Sequence, residues 1–405
     1  MQPEPALGPG PPADIAVVGG GGHVGLPLSI ALADRGATVL ISDTDTATVD
    51  RINRAAMPFL EPGAPAALAR VIADARLTAT SDPAALEKVG TVVVVIGTPV
   101  DEHLNPDFDA IPRALAAISD YLRDGQLIVL RSTVYPGVTK LVERTLAARG
   151  LKVDVAFCPE RIAEGKAMSE LYELPQIVGA RDDRTYERAA AVFSLLTDKL
   201  VRLDPEEAEL AKLITNNWRY LKFAAANQFY MIANNQGLDY ERIRLALIEG
   251  YPRASGLPRA GFAAGPCLFK DTMQLAAFND NNYFLGHSAM LVNEGLPLYV
   301  IRRLEERFDL STMRVGILGM AFKSGSDDVR ASLSYKLRRI LAFRAAAVLC
   351  TDPYVSVDPD LLPLDRVLTG ADLLIVGAPH PEYRELAIDK PVADVWGILG
   401  QGVRI

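Results

Sequence analysis

The residues best suited to covalent chemistry cluster around one cysteine. Cys267 ends the run Gly261-Phe262-Ala263-Ala264-Gly265-Pro266 and is followed by Leu268-Phe269-Lys270-Asp271. Repeated Gly and Pro keep the surrounding stretch, 250–271, out of a regular helix, so the thiol is expected on a loop-rich segment. A lone cysteine usually packs as a small hydrophobe. Here the Gly/Pro loop before it and the Lys-Asp pair after it favour a nucleophile, because a nearby cation, Lys212 or Lys270, stabilises the thiolate that attacks. Lys212 and Asn216 lie four residues apart in a stretch free of Pro and Gly. On a helix that spacing puts both side chains on one face, a turn apart, where they can grip one oxygen.

A second constellation lies near the N-terminus. The run Ile15-Ala16-Val17-Val18 leads into Gly19-Gly20-Gly21-Gly22-His23-Val24-Gly25 and then a helical pattern. Gly20, Gly22 and Gly25 fit the template G-x-G-x-x-G. The first allows a tight turn, the second a close backbone approach to a pyrophosphate and the third close helix–strand packing, while the helix N-terminus attracts the anion. His23 and Val24 belong to the same turn. The next strand ends at Asp43, whose carboxylate can accept both ribose hydroxyls of NAD and would repel a 2'-phosphate. Gly97-Thr98-Pro99 and Ser132-Thr133 stand at later strand ends, the edge where such sheets bind ligands, so Thr98 and Thr133 are candidates to line a nicotinamide pocket. Ordinary turn chemistry accounts for such dipeptides as well. A cofactor that takes one hydride at a time needs help to carry an alcohol past the aldehyde. A thiolate supplies it by adding to the aldehyde, so that the thiohemiacetal is oxidised to a thioester and the thioester is hydrolysed.

The elements that must position these groups are legible in outline. Strands are predicted at 15–18, 39–42, 91–96, 127–131 and 153–157, alternating with helical patterns, which implies a parallel sheet covered by helices. A long helix is predicted over 206–236. A second alternation follows, with strands at 315–318, 347–351, 373–376 and 391–394 and a helix over 329–343. The fold class is therefore α/β, with two Rossmann-like parallel-sheet domains joined by a long central helix. The expected boundaries are a disordered tail at 1–13, an NAD-binding domain at 14–203, a central helical domain with the Cys loop at 204–305 and a C-terminal domain at 306–405.

Composition excludes several function classes. The 405-residue chain carries a formal net charge of −8 and no run of Lys or Arg that could displace counterions from nucleic acid. Its apolar runs are strand-sized, far short of the roughly 18–20 residues of a membrane-spanning helix, and its first twelve residues lack the pattern of a signal peptide, so a cytoplasmic location is expected. The three cysteines are too few for a disulfide framework, and His23, His103, His287 and His380 stand apart from any metal-ligand spacing. No metal is expected.

Taken with Lys212 and Asn216, the Cys267 segment resembles the UDP-glucose and GDP-mannose dehydrogenase family. The resemblance extends over nearly the whole chain, through the glycine turn, Ser132-Thr133, Pro159-Glu160-Arg161-Ile162-Ala163-Glu164-Gly165, Glu209-Leu210-Ala211-Lys212, and Phe322-Lys323 with Asp328 and Arg330. It implies NAD-dependent, four-electron oxidation of the C6 hydroxymethyl of a UDP-sugar to a carboxylate through a thioester on Cys267. It further implies that Lys212 and Asn216 hold the C6 oxygen and its oxyanions, that Asp271 positions water with Thr133 nearby, and that Glu160 is the general base of thioester hydrolysis. Glu164 and Arg330 fall on the cofactor side. Glu160, Arg161, Gly261, Phe262 and Lys323 fall on the substrate side, with Arg253 matching an arginine that reaches a neighbouring subunit's site and Arg259 a further cationic candidate. Two departures bear on the substrate. Ala264-Gly265-Pro266 stands where the family usually has Gly-Gly before the residue preceding the cysteine, and Pro159-Glu160-Arg161 looks more like the N-acetylhexosamine branch, whereas Cys-x-Phe-Lys-Asp looks like the UDP-glucose branch. The alternatives are a two-electron hydroxyacid dehydrogenase, which would not need Cys267, and a nucleotide-sugar-binding protein without turnover. Leu210, Leu213, Trp218, Leu221, Phe223, Phe229 and Met231 spread over more than one stripe of the long helix, which makes a dimer interface the expectation there, in a homodimer or a higher homo-oligomer.

Overall fold

A computed structural model describes residues 14–98, 107 and 109–400; the tail expected at 1–13 and Pro99 of the Gly-Thr-Pro motif lie outside the described residues. The chain divides into two compact units, Met1–Ile214 and Thr215–Ile405.

The N-terminal unit is built on an eight-stranded sheet. Its strands are β1 (Ile15–Val18), β2 (Val39–Ser42), β3 (Leu77–Thr80), β4 (Thr91–Val94), β5 (Leu127–Leu130), β6 (Asp154–Phe157), β7 (Gln176–Gly179) and β8 (Leu200–Leu203), in the spatial order β3-β2-β1-β4-β5-β6-β7-β8. All pairings are parallel except β6 with β7, which touch antiparallel at Phe157 and Gly179. β1, β5 and β7 are buried at every position, as expected of strands with helices on both faces. The strand order reverses between β1 and β4, and the crevice at their carboxyl ends is the ligand-binding edge of such a sheet. β4 is shorter than the predicted 91–96 because the Ile96 N–H leaves the ladder to donate to Ser132 Oγ at 2.8 Å.

The predicted long helix is Pro205–Asn235, 31 residues or about 46 Å. Both ends are sealed. Glu207 reaches back to accept the Asp204 N–H at 3.0 Å, half of a capping box, and acidic Glu206 and Glu207 complement the helix dipole. At the other end Gly237 adopts φ +68°, and the Leu238 N–H bonds the Ala233 carbonyl at 2.9 Å, the wrap-around closure that glycine makes possible. Within the N-terminal unit, buried Glu209 of this helix accepts the N–H of Gly137 (2.6 Å) and both the N–H (2.7 Å) and hydroxyl (2.6 Å) of Thr139. These groups open the helix Val138–Ala148. Glu209 thus fixes the rotation of the turn that carries Lys212.

The C-terminal unit holds a four-stranded parallel sheet, β9 (Arg314–Leu318), β10 (Ala347–Thr351), β11 (Leu373–Val376) and β12 (Val392–Ala393), in the order β10-β9-β11-β12. Its order reverses beside β9. The helix expected over 329–343 runs only from Leu333 to Leu341, capped by the Ser332 side chain, because Asp328 Oδ1 takes the Arg330 N–H at 2.8 Å and diverts the backbone into a turn. The strand expected at 391–394 shrinks to two residues, since Pro391 has no N–H for the ladder. The loop expected to reach residue 271 stops at Cys267, and Leu268–Phe278 is helix. Among the described residues no helix is long and apolar enough to cross a membrane.

Replacing Glu209 with alanine leaves its donors without their acceptor, and the expected loss is about 1–3 kcal/mol, read as a lower urea midpoint. Burial raises the Glu209 carboxyl above its ordinary pKa, so the proton-linked part of its contribution is complete below the ordinary carboxylate range and is lost as pH rises through the raised value. A pH series of urea midpoints on wild type and Glu209→Ala should differ by that falling component.

Candidate active site

In the N-terminal unit the glycine turn is closed on its inner side and open on its outer side. A Cβ on Gly25 would lie 2.7 Å from Gly20 Cα, and one on Gly20 would lie 2.8 Å from the Val17 carbonyl oxygen. At Gly22 a Cβ would meet only the Gly19 oxygen, 3.9 Å away. The turn therefore offers bare backbone outward at the second glycine, the approach a pyrophosphate needs. Val24 stands at the start of the helix Gly25–Asp34, and the His23 ring stacks on Phe59 with centroids 3.9 Å apart. Asp43 is anchored by accepting the Gly21 N–H at 2.9 Å and the Asp45 N–H at 3.1 Å. At the neighbouring strand ends the Thr98 hydroxyl donates to the Thr133 carbonyl at 2.5 Å. These contacts fit a dinucleotide: an open backbone turn at a helix N-terminus, with a carboxylate at the end of β2.

Glu160 is held at both of its carboxylate oxygens. Its Oε2 accepts from Arg131 Nε at 3.0 Å and also from Arg131 Nη2, and its Oε1 accepts the N–H of Arg161 at 2.6 Å and of Ile162 at 2.9 Å. Arg131 is itself buried, donating to the Cys158 carbonyl and Gln176 Oε1 and lying over the Phe193 ring at 4.9 Å. Four donors thus hold the Glu160 carboxylate against the segment that carries Arg161. The Arg161 guanidinium donates to the Pro175 carbonyl. Glu164 is half-buried on the same segment. Beside it, buried Glu61 accepts the N–H of Gly165 and Ala167, both at 2.9 Å. Neither Arg131 nor Glu61 was visible as a functional candidate in the sequence, because each acts on a partner far along the chain.

On the long helix, Lys212 and Asn216 are both buried, one turn apart. In the C-terminal unit, Asn216 Nδ2 donates to Asp271 Oδ2 at 2.5 Å, and Asn217 Nδ2 to the Asp271 carbonyl at 3.2 Å. Lys270 Nζ lies 3.0 Å from Asp271 Oδ1. Asp271 is 0% exposed, and its N–H donates to the Cys267 carbonyl at 2.9 Å. Cys267 occupies the cap position of the helix Leu268–Phe278 and is exposed. A thiolate there faces the partial positive charge of the first helical turn. The loop before it is clamped by Asn227, which accepts the Gly261 N–H at 2.8 Å and donates to the Gly261 carbonyl at 3.0 Å. Asn227 is held in turn by Asn293 at 2.9 Å. The same loop lies flat on two rings. A Cβ on Gly261 would sit 2.2 Å from Trp396 and one on Gly265 2.6 Å from Phe322, while Phe262 meets Trp396 edge-on at 6.5 Å.

The cationic candidates divide. Lys323 follows Phe322 directly, its Nζ 5.7 Å from that ring's centroid, and so adjoins the Cys loop. Arg330 pairs with Asp328 at 2.6 Å. Arg259 pairs with Glu241 at 2.9 Å, which makes it a fixture of the helix Tyr240–Ile248. Arg253 lies over the Tyr251 ring at 5.2 Å on an exposed 3-10 turn.

The comparisons with known proteins agree with this anatomy. Residues 13–197 match the NAD binding domain of the UDP-glucose/GDP-mannose dehydrogenase family, 206–294 its central domain and 316–401 its UDP binding domain. The chain is 28% identical to UDP-N-acetyl-D-mannosamine dehydrogenase of Pyrococcus horikoshii, over 96% of this chain and 93% of that protein. It is also 28% identical to NDP-N-acetyl-D-galactosaminuronic acid dehydrogenase of Ralstonia nicotianae, over 93% of each. A solved UDP-glucose dehydrogenase from Pyrobaculum islandicum superposes with a TM-score of 0.88 at 28% identity, covering 96% of both chains.

The three thiols should separate chemically. Burial pushes Cys158 and Cys350 each up to about 12, which leaves them protonated and out of reach at neutral pH. Iodoacetamide on the folded protein at neutral pH is therefore expected to add one label per chain, on Cys267, and none to Cys267→Ser, as read by intact mass and peptide mapping.

Proposed function

This chain belongs to the UDP-glucose/GDP-mannose dehydrogenase family, and from that premise we propose that it is an NAD-dependent oxidoreductase that converts the C6 hydroxymethyl of a UDP-sugar to a carboxylate, with the half-oxidised carbon held on Cys267. The observation that carries the reading is the exposed thiol of Cys267 at a helix N-terminus, one turn from the buried Asn216–Asp271 pair. NAD, when bound at Gly20, Gly22 and Gly25 with Asp43, supplies the two-electron oxidant for each of the two oxidations.

The chain's own groups do the rest. Cys267 Sγ adds to the C6 aldehyde and forms a C–S bond, and the oxygen that gains charge is held by Lys212 and Asn216, donors set in place before reaction. Oxidation of this thiohemiacetal leaves a thioester. Water then adds at the same carbon, the C–S bond breaks, the thiolate leaves and the carboxylate is released with a proton. We assign the orientation of that water to Asp271, held by Asn216 and Lys270, and a positioning role to Glu160, whose oxygens are already engaged. Thr98 and Thr133, tied together at the edge of the sheet, are assigned to the nicotinamide side with His23, Val24 and Glu164. Gly261, Phe262 and Lys323 are assigned to the sugar nucleotide with Arg161. Arg330 is assigned to the cofactor side and Arg253 to a neighbouring subunit's site.

A UDP-N-acetylhexosamine is the preferred substrate in this reading. Support comes from Pro159-Glu160-Arg161 and from relatives named as UDP-N-acetyl-D-mannosamine dehydrogenases. The three-part organisation at 14–203, 204–305 and 306–405 is proposed with it. So is a homodimer through the long helix, supported by Trp218, Phe229 and Ile232, which are 61%, 50% and 55% exposed in the single chain. Large apolar side chains lined up on one element commonly mark an interface.

The stoichiometry tests the chemistry. With UDP-N-acetylmannosamine, two NADH per sugar and an acidic product are expected, and Cys267→Ser should lower kcat by roughly a thousandfold; one NADH with a free aldehyde would overturn the covalent role. A panel including UDP-glucose and UDP-N-acetylglucosamine fixes the sugar. Light scattering should give a dimer that Trp218→Glu dissociates, and a wild-type monomer at micromolar concentration would refute the interface.

A further inference from the structure

Asp352 follows β10 and has a side chain with no exposed surface. Its Oδ2 accepts the N–H of Met320 at 2.7 Å and of Ala321 at 2.9 Å, and its Oδ1 accepts the N–H of Tyr354 at 2.9 Å and of Val355 at 3.1 Å. Oδ2 also lies 3.0 Å from Nε2 of His380, itself fully buried. On the far side of that imidazole, Nδ1 accepts the Gly325 N–H at 3.1 Å.

This last bond fixes the tautomer. A backbone N–H can only donate, so Nδ1 must present its lone pair and the ring proton must sit on Nε2, directed at Asp352. Burial alone would raise the Asp352 carboxyl, yet the His380 and backbone hydrogen bonds hold it below its ordinary pKa, in keeping with an ionised acceptor. One dyad therefore grips the segment 320–325 at both ends. Between the grips lie Phe322, which supports the Cys loop at Gly265, and Lys323. Left to itself, a lysine side chain is flexible and costs entropy to localise.

We propose that the Asp352–His380 dyad is a positioning device that presents Lys323 to the diphosphate of the nucleotide sugar, with His380 acting as the neutral tautomer protonated on Nε2. The inference rests on the reading of the C-terminal unit as the UDP-binding half. Lys323 makes the contact; His380 acts through Gly325 and touches no substrate. The groups facing the ring are Asp352, Tyr354 with its ring centroid at 5.1 Å, Tyr383 at 5.6 Å, and Glu382, to which the Tyr354 hydroxyl donates.

Two isosteres separate the grips. The amide oxygen of His380→Asn can replace Nδ1 as acceptor for Gly325, whereas His380→Gln keeps a donor toward Asp352 and loses that acceptor. Calorimetric titration of the full chain with UDP is expected to give a Kd about tenfold or more weaker for His380→Gln, the consequence of an unmet buried N–H, and within about threefold of wild type for His380→Asn. In turnover, His380→Gln should raise KM for the nucleotide sugar and leave KM for NAD unchanged. Equal UDP affinity in all three proteins overturns the proposal, as does an equal loss in both variants accompanied by a lower Tm and a raised KM for NAD. A wild-type chain that binds no UDP overturns it together with the reading it rests on.

Discussion

A buried carboxylate needs donors, and the need at Asp271 organises the C-terminal unit. Taking an ionised side chain out of water costs several kcal/mol unless hydrogen bonds compensate it. The compensation comes from the Asn216 amide and the Lys270 ammonium. Tyr220, Ala224, Leu268 and Ala289 form a buried apolar cluster in the same region. Apolar packing of this kind sets how closely two helices approach, but it tolerates sliding. The Asn216–Asp271 bond does not. It fixes the register of the helix Leu268–Phe278 against the long helix, and through the Asp271 N–H it reaches the carbonyl of Cys267 one turn away.

The two units use the same architectural rule for different contents. Each brings a glycine-containing turn to the edge where the strand order of its sheet reverses, the edge at which such sheets bind ligands. In the N-terminal unit that edge holds the glycine turn and Asp43, with Thr98 and Thr133 alongside. In the C-terminal unit it holds Gly319, where a Cβ would come within 2.6 Å of the Ala378 nitrogen, and beyond it the segment carrying Phe322 and Lys323. Glycine appears where two strand ends cross too closely for any side chain.

Much of this was legible in the sequence, because the informative signals are local. The glycine turn, the acidic end of β2, the Lys212 and Asn216 spacing, the Gly/Pro-rich loop before Cys267 and the long helix, expected at 206–236 and found at Pro205–Asn235, are each written within about thirty residues. The supporting contacts escaped for the opposite reason. Asn227 meets Gly261 across 34 residues and Asn293 across 66, Arg131 meets Glu160 across 29, and His380 meets Gly325 across 55. No local pattern marks such pairs. Glu160 shows the limit: its motif suggested a general base, and the Arg131 donors that hold it carry no local signal. His380 looked isolated because its carboxylate partner lies 28 residues away.

The position of β1 carries a consequence for the nascent chain. β1 is flanked by β2 on one side and by β4 on the other, so when β2 has emerged from the ribosome the other edge of β1 still presents unpaired N–H and carbonyl groups. That edge stays open until Thr91–Val94 is made. An apolar strand edge without its neighbour is a template for pairing with another chain. Throughout the interval between β2 and β4 the growing chain therefore carries an open apolar edge that only Thr91–Val94 closes.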